Sequence, residues 1–167
     1  MDNLTFQQAE EIGLDTMLKI YNFYLVTTTA TFDLGKISRE EFLCRIFIGH
    51  EKYRTYLIHC QNEIAGFCFL TQYRKKEAYD RTAEIGLYLK PEFTGKGIGK
   101  VAVAFMEKIA VSKEIKVIIA SISGENTASI KLFQNMGYAR CAHYKKAAEK
   151  FGRLLDVIDY EKILEIK

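Results

Sequence analysis

Pro91-Glu92-Phe93-Thr94-Gly95-Lys96-Gly97-Ile98-Gly99-Lys100 is the stretch on which the reading of this chain turns. It lies between a β-rich run, Thr82 to Leu89, and a run whose apolar positions, Val101, Ala102, Phe105 and Ile109, trace one helix face from Ile98 onward. Glycines at 95, 97 and 99 remove side chains where several amide N–H groups can converge, and the helix N-terminus behind them adds partial positive charge. Such a nest binds phosphate or pyrophosphate. Two familiar phosphate loops do not fit. A P-loop needs Gly-Lys-Ser/Thr, whereas Val101 follows Gly99-Lys100; a dinucleotide fingerprint would need glycine at 100 and normally opens the first strand-helix unit. A glycine-softened connection with no ligand remains the alternative.

Working outward, Val117-Ile118-Ile119-Ala120 reads as a buried strand, so the glycine loop sits inside a strand, helix, strand unit. Asn126 caps a further helix carrying Ile130, Phe133 and Met136 and closed by Gly137; strand-like runs at Ala139 to Lys145 and Leu154 to Ile163 follow. Upstream, Leu4 and Phe6 alternate as a short strand, and Leu14, Met17, Leu18, Tyr21 and Leu25 recur as an amphipathic helix. The threonines at 27–29 and 31 interrupt that helix, because β-branched side chains lose rotational freedom in it. Ser38-Arg39-Glu40-Glu41 has the form of a capping box ahead of Phe42 and Ile46. Thr55 to Cys60 and Ile64 to Thr71 form a hairpin about Gln61-Asn62-Glu63. Four helices thus interleave with hairpins and one parallel crossover, which is an α+β layered sheet.

With 167 residues, 49% hydrophobic and 27% charged, the chain has the balance of an ordinary globular protein, and we read residues 1–167 as a single domain. No basic cluster precedes an apolar run at the start, and no uncharged apolar stretch approaches membrane-spanning length, so the expected location is the cytoplasm, with no membrane partner. Cys44, Cys60, Cys68 and Cys141 lack CxxC spacing and no Cys/His cluster is legible, so no metal is expected. Lysine and arginine gather at 74–76 and 145–150, but at a net charge of +3 they read as solvated faces rather than as a nucleic-acid surface.

The glycine stretch resembles the signature of the GCN5-related N-acetyltransferase (GNAT) family, Q/R-x-x-G-x-G/A between the fourth strand and third helix. Thr94 to Gly99 fills that frame, with Thr94 where Gln or Arg is usual. Glu125-Asn126-Thr127-Ala128-Ser129-Ile130, ahead of Leu132 to Tyr138, is similar to the family's Asn-containing strand-helix corner. The whole chain resembles the phosphinothricin and methionine sulfone acetyltransferase branch. That likeness rests on Ile20-Tyr21-Asn22, Thr29 to Asp33, Tyr73-Arg74 with Ala78-Tyr79 and Thr82-Ala83-Glu84, and Phe151 to Val157; Asp33 stands where Glu is commoner, and Leu154 replaces a common aromatic residue.

The resemblance implies the GNAT fold: a mixed, mostly antiparallel twisted sheet of six to seven strands flanked by four helices. It also implies acetyl-coenzyme A as cosubstrate. Main-chain amides of Gly95, Lys96, Gly97, Ile98, Gly99 and Lys100 would hold its pyrophosphate, and Leu87, Tyr88 and Leu89 would pair with the pantetheine arm. Asn126 and Ser129 would touch pantetheine, although Asn126 also reads as a plain helix cap. Homodimers are typical of the branch.

An amine acceptor is an ammonium near neutral pH, so a base must take a proton. Glu84 is the candidate, sharing a strand face with Gly86 and Tyr88, where the missing side chain of Gly86 would leave a slot between carboxylate and thioester. Read structurally, Glu84 is a strand carboxylate paired with a lysine. The Tyr88 or Leu89 amide would stabilise charge developing on the carbonyl oxygen. Many relatives use a tyrosine as acid toward the departing sulfur, and the corresponding position here is Phe133; a thiol pKa of about 8.5 lets the thiolate leave unaided. By resemblance Arg74 forks the acceptor's carboxylate or phosphinate, Phe32 and Tyr79 wall the site, and Thr31 and Asp33 contribute to it. The expected activity is acetylation of a small amino-acid-like amine. A protein N-terminus, a polyamine or an antibiotic as acceptor, or a non-catalytic acyl-coenzyme A sensor, are the alternatives.

Overall fold

A computed structural model describes residues 4–164. Strands β1 (Leu4–Gln8), β2 (Thr55–Cys60), β3 (Glu63–Gln72), β4 (Thr82–Leu89), β5 (Val117–Ser123), β6 (Ala139–Lys150) and β7 (Arg153–Ile163) form one sheet in the order β1-β2-β3-β4-β5-β7-β6. Every neighbouring pair is antiparallel except β4 and β5, which the right-handed logic of a strand, helix, strand unit makes parallel. Four α-helices accompany the sheet: α1 (Leu14–Thr27), α2 (Arg39–Leu43), α3 (Ile98–Ser112) and α4 (Thr127–Asn135). This is the expected α+β GNAT architecture.

Local chemistry accounts for the boundaries. The β2–β3 turn places Gln61 and Asn62 at φ 51° and 68°, the left-handed pair that a two-residue hairpin with right-twisted strands requires. Both halves of the capping box form at α2, with Glu41 N donating to Ser38 Oγ and Ser38 N donating to Glu41 Oε2. Asn126 caps α4 through Ser129 N, and Gly137 at φ 82° ends it.

The period-2 alternation of β3 and β4 divides the core into two layers. Cys68, Leu70, Ala83 and Ile85 face α3 and α4; Leu57 and Phe67 face α1 and α2, with Phe69 and Tyr88 packed beside them. Helix α3 buries Ile98, Ala102, Val103, Met106 and Ala110. The stripe expected at Val101, Phe105 and Ile109 therefore lies on its flank, where Phe105 stacks on Phe6 at 4.1 Å. Apolar residues spread well beyond one face of this helix, with Lys100 and Lys108 marking the exposed side, so the buried stripe lies one position from the expected one.

The β6–β7 hairpin departs most from the sequence reading. Strand β6 runs five residues beyond Lys145, to Lys150, past a register shift between Tyr144 and Ala148. Lys150, read as part of a solvated basic run, is only 2% exposed, and its Nζ donates to the Thr31 carbonyl at 2.6 Å. Burial pushes the Lys150 ammonium below its ordinary pKa. The segment between α1 and α2 is thus pinned from a point 119 residues away.

We expect Lys150→Met to keep the packing volume but orphan the Thr31 carbonyl, costing about 1–3 kcal/mol and lowering the melting temperature by about 2–4 °C per kcal/mol. Hydrogen exchange should speed up at residues 28–33 and stay unchanged in α3.

Candidate functional site

Strands β4 and β5 pair over only Thr82–Val117, Ala83–Ile118 and Glu84–Ile119. Beyond that, β4 continues along β3 as far as Leu89 opposite Gly66, while β5 continues along β7 as far as Ser123 opposite Val157. The two strands part after Glu84, leaving Ile85 to Leu89 with one open backbone edge inside the sheet. The hydroxyl of Tyr24 donates to the Leu89 carbonyl on β4.

The glycine loop leads on from β4. Pro91–Phe93 forms a 3-10 turn, on which Thr94 closes through its amide at 3.1 Å and its hydroxyl at 2.8 Å to the Pro91 carbonyl. Gly95 and Gly97 then adopt φ 71° and 80°, the left-handed region that side chains disfavour. Among the described residues no hydrogen bond uses the amides of residues 95–99 as donors. Gly95 and Lys96 are exposed, and a Cβ at Gly95 would meet nothing within 4 Å. Five unspent N–H groups at the N-terminus of a 15-residue helix fit a diphosphate. Lys100 is different: its amide donates to the Gly97 carbonyl at 3.1 Å, so the expected nest is one residue shorter.

On the α1/α2 side of the sheet, a cavity of about 480 Å³ opens beside Glu84. Its lining includes Tyr21, Thr31, Phe32, Arg45, Phe69, Arg74, Lys75, Glu84, Tyr88 and Ser121. Glu84 is half-buried and makes no ion pair or hydrogen bond among the described residues. The lysine partner of the structural reading is therefore absent. Burial, and after it the charge of Asp159, hold the Glu84 carboxyl above the ordinary carboxylate range.

The wall opposite is an interlocked polar cluster. Arg45 forks Asp33 with two bonds of 2.8 Å, and the Tyr21 hydroxyl donates to Asp33 Oδ2 at 2.6 Å while accepting from Thr31 Oγ1 at 2.7 Å. The guanidinium beside it draws the Asp33 carboxyl below its usual pKa, and burial, aided by Asp33, pushes the Tyr21 phenol up to about 12. Asp33 does not line the cavity and its charge is spent on Arg45. It sets the shape of the wall that Thr31 and Phe32 present.

Arg74 stands at the rim with its guanidinium 5.1 Å from the centre of the Tyr73 ring and 5.3 Å from that of Tyr79. Tyr79, expected as a wall, lies outside the cavity lining and backs Arg74 instead. The slot expected over Gly86 is filled: a Cβ there would run into the Phe69 ring, which lies within 12° of parallel to Tyr88 at 6.3 Å. Glycine at 86 makes room for an aromatic ring rather than for a substrate. Phe133 is 5% exposed and packs edge-on against Tyr138, so that position offers no hydroxyl. Arg45, Phe69, Lys75 and Ser121 are cavity residues that the sequence reading did not name; nothing local in the sequence marks them, because four separate segments bring them together.

Among the described residues no group of three His, Cys, Asp or Glu side chains is placed to hold a metal ion, and no helix is long and apolar enough to cross a membrane.

The Acetyltransferase (GNAT) family model matches residues 17–138. Phosphinothricin N-acetyltransferase of Streptomyces coelicolor is 30% identical, the match covering 92% of each chain. The L-methionine sulfoximine/L-methionine sulfone acetyltransferase of Salmonella typhimurium is 24% identical over 92% of this chain and 91% of its own. Among solved structures, a GNAT superfamily phosphinothricin acetyltransferase from Sinorhizobium meliloti in complex with AcCoA superposes with a TM-score of 0.90 at 26% identity, covering 96% of this chain and 88% of the other. Parted central strands, unspent loop amides and a family match across most of its length together make this chain a member of the acetyltransferase (GNAT) family.

Proposed function

We propose that the protein transfers the acetyl group of acetyl-coenzyme A to the primary amine of a small amino-acid-like acceptor, with phosphinothricin and methionine sulfone as the first candidates. The observation that carries this reading is the row of unspent amides at residues 95–99, at the head of the gap between β4 and β5. The residues fit the cosubstrate. Gly95 to Gly99 grip its pyrophosphate with backbone donors, the open edge at Leu87, Tyr88 and Leu89 takes the pantetheine arm as a further strand would be taken, and Asn126 and Ser129 line the arm from α4.

The cavity supports the acceptor class by its charge layout. Glu84 supplies negative charge at the floor, Arg74 and Lys75 supply positive charge at the rim, and Arg45 is neutralised by Asp33. An α-amino acid or its phosphinate analogue carries the complementary pair, ammonium inward and anion outward. A polyamine carries only the first and meets a cationic rim.

Glu84 acts as the base. One N–H bond of the ammonium breaks and an O–H bond forms on the carboxylate, directly or across one water, leaving an amine lone pair to attack the thioester carbonyl. The Tyr88 or Leu89 amide donates to the carbonyl oxygen as it gains charge. Phe133 gives no proton to the sulfur, which departs as thiolate, while the second N–H proton of the tetrahedral adduct passes to solvent water. We place the protein in the cytoplasm as a homodimer; relatives named for small acceptors support a small-molecule partner over nucleic acid or membrane.

Release of free thiol from acetyl-coenzyme A, followed across a panel of amines, tests the assignment; turnover with none of them would leave a sensor of acyl-coenzyme A. Glu84→Gln should lower kcat by about 10²–10⁴ while calorimetric binding of acetyl-coenzyme A stays unchanged. Because burial holds the Glu84 carboxyl above the ordinary carboxylate range and the base acts deprotonated, kcat/KM should rise with pH along an acid limb displaced upward in the same sense. Arg74→Ala should raise KM for an anionic amino acid about tenfold or more and leave KM for acetyl-coenzyme A within twofold; equal effects on both would remove Arg74 from the acceptor site.

A further inference from the structure

Asp159 takes no part in the chemistry above, yet it is a second acid on the cavity's face of the sheet. It is 8% exposed, and its Oδ1 is sealed from solvent without a hydrogen-bond partner among the described residues. Buried polar atoms without partners are rare and call for one. The register fixes where Asp159 stands. It pairs with Ser121, so both project from one face, while its neighbours Ile158 and Tyr160 turn into the core under α3 and α4. Ser121 lines the cavity with Glu84. Glu84 is level with Ile119, one pleat before Ser121. Asp159 therefore lies two strands across and two residues along from Glu84. At about 4.8 Å between strands and 3.3 Å per residue, the Cα atoms are roughly 12 Å apart, with Ser121 of the cavity lining between them.

We infer that Asp159 is a positioning residue coupled to Glu84: the two carboxylates stand on one face of the sheet on either side of Ser121, and the charge of Asp159, set behind the cavity lining, acts through space on the base and on the acceptor's ammonium. The inference rests on the acetyltransferase reading and deepens it. The proton that leaves nitrogen goes to Glu84, which loses its charge as the amine becomes neutral. The negative charge of Asp159 also opposes ionisation of Glu84, which makes Glu84 the stronger base.

The other groups facing Glu84 do not substitute for this charge. Tyr21 of α1 and Tyr88 of β4 are held neutral by burial, and Asp33 and Arg45 cancel. Arg74 and Lys75 at the rim are cations, Lys150 is committed to Thr31, and Glu161 on β7 is half-exposed, where solvent screens it.

The test is steady-state kinetics of Asp159→Asn, Ser121→Ala and Glu84→Gln with the best acceptor from the panel. Removing the Asp159 charge should shift the acid limb of kcat/KM to lower pH and raise acceptor KM several-fold, with KM for acetyl-coenzyme A within twofold and the melting curve close to wild type. A purely structural Asp159 would move the melting curve and leave the limb in place. An unmoved limb with unchanged acceptor KM, in a protein where Glu84→Gln is inactive, overturns the pairing and spares the base. Full turnover in Glu84→Gln overturns both. Should Asp159→Asn not fold, Asp159→Ser removes the same charge and carries the test, with Ser121→Ala as the control that alters the lining and leaves the limb in place: a limb moved to lower pH in Asp159→Ser supports the pairing, and an unmoved limb rejects it.

Discussion

The parting of β4 from β5 after the Glu84–Ile119 pair is the constraint from which the rest of the molecule takes its form. A sheet that opens in its middle exposes two backbone edges where hydrogen bonds would otherwise run, and such groups must find partners. Tyr24 supplies one for Leu89. The remaining edge of β4 and the unspent amides of residues 95–99 line the same opening. Both demands are met by one kind of guest: an extended amide-bearing chain that ends in a diphosphate. The gap is held open by its flanks, since β3 keeps β4 in register through Leu89 and β7 keeps β5 in register through Ser123.

The acceptor side is built differently, from long-range ties between loops. The segment after α1 is fixed at Thr31 by Lys150, at Asp33 by Arg45 and Tyr21, and at Thr29 by a 3.5 Å contact with Glu125, which in turn is forked by Arg153. Every one of these ties engages a charged group, and those at Thr31 and Asp33 are short and at least part-buried, where a hydrogen bond to a charged group is worth about 1.5–3 kcal/mol. The wall proposed to meet the acceptor thus depends on the tip of the β6–β7 hairpin. Cofactor grip and acceptor wall are separable: the first is backbone, the second is side chain. That division lets one fold keep its cosubstrate while the acceptor changes.

What could be read from the sequence divides along the same line. Signals carried by neighbouring residues were legible: the glycine spacing at 95, 97 and 99, the capping box at Ser38 and Glu41, the β2–β3 turn, and all eight residues of β4. Signals that depend on distant partners were not. Lys150 sits among lysines that are solvated, and only the hairpin's docking buries it. Asp33 and Arg45 are 12 residues apart with a helix between them. Tyr79 was assigned by likeness to a wall it does not form, because a 3-10 turn at Glu77–Tyr79 swings it behind Arg74. Period alone could not tell that Asp159 and Glu84 share a face, since that needs the strand order β4-β5-β7.

The corrected role of Gly86 shows how the catalytic strand obtains its rigidity. Glu84 and Tyr88 project from one face of β4 with Gly86 between them, and an empty notch there would leave both side chains free to move. Phe69 from β3 fills the notch. Its ring lies near-parallel to those of Phe67 and Tyr88, within 15° and 12°, and Tyr88 is gripped again by Tyr21 edge-on at 5.2 Å. Aromatic packing of this kind contributes about 0.5–1.5 kcal/mol per pair beyond burial and, more to the point, leaves the ring no second rotamer. The proposed base and the proposed backbone donor are therefore spaced by a stack of rings, and a glycine is what admits the stack. Misplacing reacting groups by an ångström costs about 10²-fold in rate, so the side chain missing at 86 contributes to the reaction through what it lets in.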